Sequence, residues 1–146
     1  EKNNIRVRMI GERNRFAPDL VEAINGLEEK TKENTGMTFV IAVNYGSRDE
    51  ITRAVRKIMT DAKEGKLAPE EMTEEVFSSY LDTAGIPDPD LIIRPSGEKR
   101  LSNFMMWQSA YSEFVFMDVL WPDFTPQHLN EALWEYVGRD RRFGGI

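Results

Sequence analysis

Arg94 and Arg100 stand on either side of a Pro95-Ser96-Gly97 turn, with the hydroxyls of Ser96 and Ser102 close by in sequence. Guanidiniums returned to one place by a tight loop, beside small hydroxyls and loop amides, suit a multiply charged oxyanion such as a diphosphate. Leu91, Ile92 and Ile93 read as a short buried strand that stops at Arg94. Proline holds the residue before it extended and Gly97 permits a reversal, so Arg94 leaves the strand in a defined direction. Arg94 and Arg100 are therefore expected to converge on one anion site. The spacing alone leaves a solvated surface turn open as the alternative. Ser102 could bind the anion or act as the N-cap of a helical turn reaching Trp107.

Other residues could take part in the same chemistry. Asn44-Tyr45-Gly46-Ser47-Arg48 lies between an apolar run and a helix-like segment opening with Asp49 and Glu50, which is either a phosphate-binding edge or an ordinary βα turn. Arg13, Asn14 and Arg15 follow a strand-like segment and could face a ligand or solvent. Glu113 sits among aromatic and apolar residues, Tyr111-Ser112-Glu113-Phe114-Val115-Phe116, where an unpaired carboxylate is costly; a partner is implied, either an arginine or a metal. Arg139, Arg141 and Arg142 suit a helix C-terminus electrostatically. The glycines after Arg142 also suit a segment folding over an anion. His128 has no Ser, Cys or metal partner in view and is not read as catalytic.

Composition limits the alternatives. The chain has 146 residues, no Cys, one His and a formal net charge of −6. Thiol nucleophiles, disulfides and His/Cys zinc sites are excluded, so any metal is held by oxygen. The acidic balance disfavours nucleic acid as a partner while leaving room for a local basic pocket. No run approaches the ~20 apolar residues of a membrane span and no signal peptide opens the chain, which predicts a cytoplasmic protein. No Gly-x-Gly-x-x-Gly or Walker sequence supports a generic nucleotide-binding module.

The elements that must position these residues alternate. Ile5 to Ile10 predicts a strand, Pro18 to Lys30 or Thr31 a helix with Leu20, Val21, Ile24 and Leu27 on one face, and Met37 to Tyr45 a central strand covered on both faces. Ile51, Val55, Ile58, Met59 and Ala62 predict the inner face of the next helix, and Thr73 opens a further helical stretch. Phe114 to Leu120 predicts a strand. Thr125-Pro126 starts a last helix with Leu129, Leu133, Tyr136 and Val137 inward. The pattern predicts one α/β domain over 1–146, with a mostly parallel sheet flanked by helices. The Met, Trp, Tyr and Phe in the region around Trp107 to Phe116 exceed what one small domain needs to shield and predict a homodimer interface.

The string Arg94-Pro-Ser-Gly-Glu-Lys-Arg100-Leu-Ser102-Asn-Phe104, with Trp107-Gln, Ala110-Tyr-Ser-Glu113 and Leu120-Trp-Pro-Asp-Phe124, resembles the signature of the cis-prenyltransferases, the undecaprenyl or decaprenyl diphosphate synthase family. Asn44-Tyr-Gly-Ser-Arg48-Asp-Glu50-Ile and Arg141-Arg-Phe-Gly-Gly145 extend the resemblance in order and spacing. Ser47 replaces the commoner glycine and Pro95 the commoner threonine. The Asp-Asp-x-x-Asp motif of trans-prenyltransferases is absent, as is the Asp-Gly-Asn-x-Arg-Trp-Ala phosphate loop of the cis family, so the chain is similar to the C-terminal part of such a catalytic domain and no catalytic residue is assigned.

The resemblance implies condensation of isopentenyl diphosphate with an allylic prenyl diphosphate such as farnesyl diphosphate, giving a cis-polyprenyl diphosphate carrier lipid and pyrophosphate. It implies Arg94, Arg100, Ser102, Asn44 and Arg142 as substrate-binding residues, Glu113 beside Mg2+, and Arg48 as structural. It further implies a homodimer whose C-terminal tail reaches the active site across the interface, and peripheral membrane contact through the lipid product. This stretch alone is expected not to elongate prenyl diphosphates. A non-catalytic subunit of the same fold, supporting a catalytic partner, is the alternative.

Overall fold

The computed structural model describes residues 3–140. The chain divides into two compact units, Glu1–Ile86 and Pro87–Ile146.

In the first unit, strand β1 (Arg6–Ile10) and strand β2 (Thr38–Ala42) pair in parallel, from Arg6 opposite Thr38 to Ile10 opposite Ala42. A parallel pair needs a crossover, and helix α1 (Pro18–Thr31) supplies it and packs on β1. Pro18 at the first helical position has no N–H to leave unpaired. The edge of β1 that faces away from β2 is closed by side chains. Val7 N–H donates to Thr31 Oγ1 at 3.0 Å, Met9 N–H to Glu28 Oε1 at 2.7 Å and Gly11 N–H to Asp82 Oδ2 at 3.1 Å. Alternate donors along one edge thus find acceptors without a third strand. Ile10 and Ile24 are buried between sheet and helix, whereas Leu20 and Leu27, expected inward, are exposed. Glu28 and Thr31 take the inward positions because they cap the β1 edge.

β2 departs from the expectation of a strand covered on both faces. Within this unit Phe39 is 52% exposed and Met37 61% exposed, since α1 packs on β1 rather than over β2. Helix α2 (Ser47–Lys63) also turns a different face inward than its apolar spacing predicts. Ser47, Glu50 and Ala54 are buried, and Val55 and Met59 are exposed. The rotation follows from polar bonds made by Glu50 and Arg53, described below. Helix α3 (Glu74–Ser79) opens at Thr73, whose hydroxyl accepts the Val76 N–H at 3.2 Å, as a capping threonine should.

In the second unit, strand β3 (Leu91–Arg94) pairs in parallel with strand β4 (Glu113–Phe116), Leu91 opposite Glu113 and Arg94 opposite Phe116. β4 is shorter than the run to Leu120 predicts. Beyond it the carbonyls of Met117 and Val119 accept from Gly97 and Ser96, so the segment braces the loop after β3 instead of extending a strand. Helix α4 (Pro126–Val137) packs on β4. Ala132 is fully buried there, while Leu129, Leu133 and Val137, expected inward, are exposed and Tyr136 is half-buried. A small residue at the contact lets helix and strand approach closely, and the leucines then fall on the flanks. His128, in the first turn, accepts the Thr125 N–H on Nδ1 at 3.0 Å and so closes the helix start.

Candidate functional site

The loop after β3 is built by backbone conformation. Ser96 and Gly97 adopt φ of 90° and 70°, and a Cβ on Gly97 would stand 2.7 Å from Asp118 Oδ1. With the Ser96 and Gly97 amides held by Val119 and Met117, the chain reverses where the Pro-Ser-Gly order predicts. A second bend follows, in which Ser102, Asn103 and Met105 take φ of 51°, 62° and 46°. Ser102 is therefore not an N-cap, which needs an extended backbone, and no helix forms from 102 to 107. Its hydroxyl instead accepts from Arg94 Nη1 at 3.0 Å, and the same Nη1 donates to the Arg100 carbonyl.

These bonds place Arg94, Arg100 and Ser102 on one hollow of about 270 Å³, lined also by Ile92, Phe114 and Phe116. The rings of Phe114 and Phe116 lie nearly parallel, 9° apart with centroids at 6.1 Å. The Arg100 guanidinium is paired with Glu98 and the side chain is 64% exposed. The hollow joins cationic and hydroxyl groups to an aromatic and aliphatic lining, which suits a ligand with an anionic head and a hydrocarbon body.

Glu113 opens β4, and its Oε2 accepts from Arg139 Nη1 at 2.7 Å. Arg139 is thus a cationic partner of the kind that the apolar setting of Glu113 implies. Arg139 also pairs with Glu135 one helical turn earlier, and the Glu113 bond is the first cause of its raised pKa. Among the described residues no group of three or more His, Cys, Asp or Glu could hold a metal ion. Magnesium is commonly bound by only one or two carboxylates together with substrate phosphates and waters; Glu113 could supply one such carboxylate, and its Oε2 is bonded to Arg139.

The first unit carries a second hollow, of about 310 Å³, where β1 and β2 end; Glu12, Arg15, Asn44, Tyr45, Gly46 and Asp49 line it. Asn44 has φ of 49°, and its Nδ2 donates to the Glu12 carbonyl at 2.8 Å while its own carbonyl accepts the Glu12 N–H at 3.2 Å. It ties the two strand ends together. Gly11, at φ 105°, leaves room for the Val43 carbonyl, which a Cβ would approach to 2.2 Å. Arg13 is held by both oxygens of Glu28, at 2.9 and 2.8 Å, and does not face the hollow's lining. Arg142 lies outside the described residues.

A polar network that the apolar spacing does not reveal fixes this hollow. Arg53 reaches Asp82 with two bonds of 2.8 Å, Asp49 at 2.8 Å and Glu12 at 3.1 Å. Glu50, 1% exposed, accepts the Tyr45 hydroxyl at 2.6 Å and the Asp82 N–H at 2.9 Å. Hydrogen bonding from Arg53 holds the Asp82 carboxyl below its ordinary range, and burial followed by Glu50 raises the Tyr45 phenol. The signal for it in the sequence is slight: Glu50 and Arg53 share a helix with Ser47 and Ala54, and small residues beside charged ones mark the inward face.

A family model described as "Putative undecaprenyl diphosphate synthase" matches residues 1–144. An isoprenyl transferase of Rhizobium meliloti (strain 1021) is 53% identical over 99% of this chain and 59% of its own length. One of Clostridium perfringens (strain 13 / Type A) is 50% identical over 99% of this chain and 57% of its own. The chain therefore spans somewhat over half the length of these relatives. Among solved structures, lavandulyl diphosphate synthase from Lavandula x intermedia, in complex with dimethylallyl diphosphate, has a TM-score of 0.94 at 40% identity, covering 99% of this chain and 62% of that one. A "probable undecaprenyl diphosphate synthase" from Campylobacter jejuni has a TM-score of 0.84 at 38% identity, covering 98% and 64%. With its parallel strands and flanking helices, the chain belongs to the undecaprenyl diphosphate synthase family of prenyltransferases and has its α/β fold.

Proposed function

We propose that the protein to which this chain belongs condenses isopentenyl diphosphate with an allylic prenyl diphosphate, such as farnesyl diphosphate, to give a cis-polyprenyl diphosphate. The observation that carries this reading is the Arg94 to Ser102 contact above the aromatic lining of one hollow. In the reaction the allylic C–O bond breaks, a C–C bond to isopentenyl diphosphate forms, a proton is lost and inorganic diphosphate leaves. Arg94 and Ser102 hold the isopentenyl diphosphate head, and Arg100 joins them by exchanging Glu98 for the substrate. A diphosphate meets a planar guanidinium with two bonds as a carboxylate does, and it carries more charge than the single exposed carboxylate of Glu98. Ile92, Phe114 and Phe116 seat the hydrocarbon.

Glu113 would help hold magnesium, which when bound would supply charge neutralisation for a diphosphate leaving group. Asn44 lines the second hollow as a further contact for substrate, and Arg142 is proposed as a further substrate-binding residue. The whole of 1–146 is read as the C-terminal part of one catalytic domain. A homodimer formed partly by Trp107 to Phe116 is supported by the exposure of Tyr111 and Phe116 in that segment and of Met106 beside it. Membrane contact is assigned to the lipid product; no helix among the described residues is long and apolar enough to cross a membrane.

The test is product formation from radiolabelled isopentenyl diphosphate, farnesyl diphosphate and magnesium. The intact protein is expected to give polyprenyl diphosphate and the 146 residues alone none. Failure of the intact protein, with binding to an active relative instead, would favour the non-catalytic subunit.

A further inference from the structure

Arg139 follows helix α4 and forks between two carboxylates. Nη1 donates to Glu113 Oε2 at 2.7 Å, and Nη2 to Glu135, which lies a helical turn earlier on α4. The side chains differ in exposure: Glu113 is 26% exposed, Arg139 34% and Glu135 52%. Glu113 is thus the more withdrawn of the two acceptors and the one that most needs a positive partner. It has no other ion pair among the described residues. A guanidinium and a divalent cation at one carboxylate repel each other, so whichever arrives second must displace the first or share its oxygens at a cost.

We propose that Arg139 is a built-in competitor for the cation at Glu113: it neutralises that carboxylate while no divalent ion is bound, and withdraws onto Glu135 when one binds. The inference rests on Glu113 being a metal ligand in the reading above. Glu135 makes the exchange possible. Because Arg139 already touches it, the guanidinium remains paired after leaving Glu113, and the exchange requires no charge to be stranded. Arg139 acts through Glu113 and is a positioning residue, not a catalytic one. Its effect is to set how much divalent cation, or cation with diphosphate, is needed to fill the site.

Two substitutions on the same guanidinium should then move metal affinity in opposite directions. Removing the competitor in Arg139→Gln should tighten manganese(II) binding by about fivefold, the scale of a part-exposed ion pair. Removing the fallback in Glu135→Gln should weaken it by about two- to fivefold, because Arg139 then holds Glu113 alone. The readout is free manganese(II) by electron paramagnetic resonance, titrated into the intact protein with inorganic diphosphate present, and needs no turnover. Arg139→Lys, which keeps a cation, should stay nearer the wild type than Arg139→Gln. If Glu113→Gln leaves manganese(II) binding unchanged, the metal reading of Glu113 fails and this inference fails with it. If Glu113→Gln weakens binding but Arg139→Gln does not tighten it, the competitor role is overturned while the metal reading stands. Should Arg139→Gln not fold, Glu135→Gln decides: weakened binding supports the exchange, and unchanged binding overturns it.

Discussion

Arg94 donates to the hydroxyl of Ser102 at 3.0 Å, and the chain between them reverses through the left-handed Ser96 and Gly97. Bonds within the chain, from the Ser96 and Gly97 amides to Val119 and Met117 and from Arg94 to Ser102, fix the loop, which favours binding a diphosphate with little further ordering. That rigidity depends on backbone positions that most substitutions would disturb.

Gly97→Ala tests the first bend. The new Cβ would stand 2.7 Å from Asp118 Oδ1 at a residue with φ of 70°. A destabilisation of about 1–2 kcal/mol is expected from the left-handed conformation alone, with the clash adding to it. Urea denaturation checks it through the midpoint at unchanged slope.

Asp82→Asn tests the network that holds the first unit. Both partners are mostly buried, with side-chain exposures of 17% for Arg53 and 14% for Asp82. Losing the charge should cost about 1–3 kcal/mol at neutral pH. Arg53 depresses the folded-state pKa of Asp82, so this stabilisation is fully present above the unfolded value of about 3.9 and is lost as pH falls through the folded one. Melting curves of wild type and variant should therefore converge in acid, from about pH 4 downward.

Glu50→Ala removes the shared acceptor of Tyr45 and the Asp82 N–H. Removing the acceptor shared by two part-buried donors should cost about 1–3 kcal/mol in all, so the variant should be among the less stable single changes in this unit. Tyr45→Phe, which removes one donor along with its need, should cost less. Thermal denaturation of the two variants side by side gives the comparison.

These residues also mark where the sequence was legible and where it was not. Strand ends and helix starts followed from Pro18, Gly97, Thr73 and the apolar runs, because those residues act through local backbone geometry. The Arg94, Ser96 and Gly97 turn was legible for the same reason. The inner faces of α2 and α4 were not, since Glu50 and Arg53 turn α2 through bonds to Asp82, a residue distant in sequence, and Ala132 admits close packing that the larger leucines cannot. Nothing local in Ser102 distinguishes a capping hydroxyl from one held in a left-handed bend. Glu113 needed a cation, which its apolar neighbours made plain, but only the fold brought Arg139 to it.

Ser102→Ala should loosen the Arg94 guanidinium without emptying the site. Arg94 keeps the Arg100 carbonyl as a partner, so stability should change by no more than about 1 kcal/mol. The loss should appear instead in isopentenyl diphosphate KM, rising about threefold to tenfold, measured at saturating allylic substrate.

The central claim is that the Arg94, Arg100 and Ser102 loop holds the diphosphate of isopentenyl diphosphate. Calorimetric titration of isopentenyl diphosphate into the intact protein and its Arg94→Ala variant tests it most directly, with the melting temperature of each recorded as a control. A charge-assisted contact contributes about 1.5–3 kcal/mol, so Kd should rise by about ten- to a hundredfold in a variant that still melts cooperatively. An Arg94→Ala protein that folds and binds isopentenyl diphosphate with the wild-type Kd would contradict it.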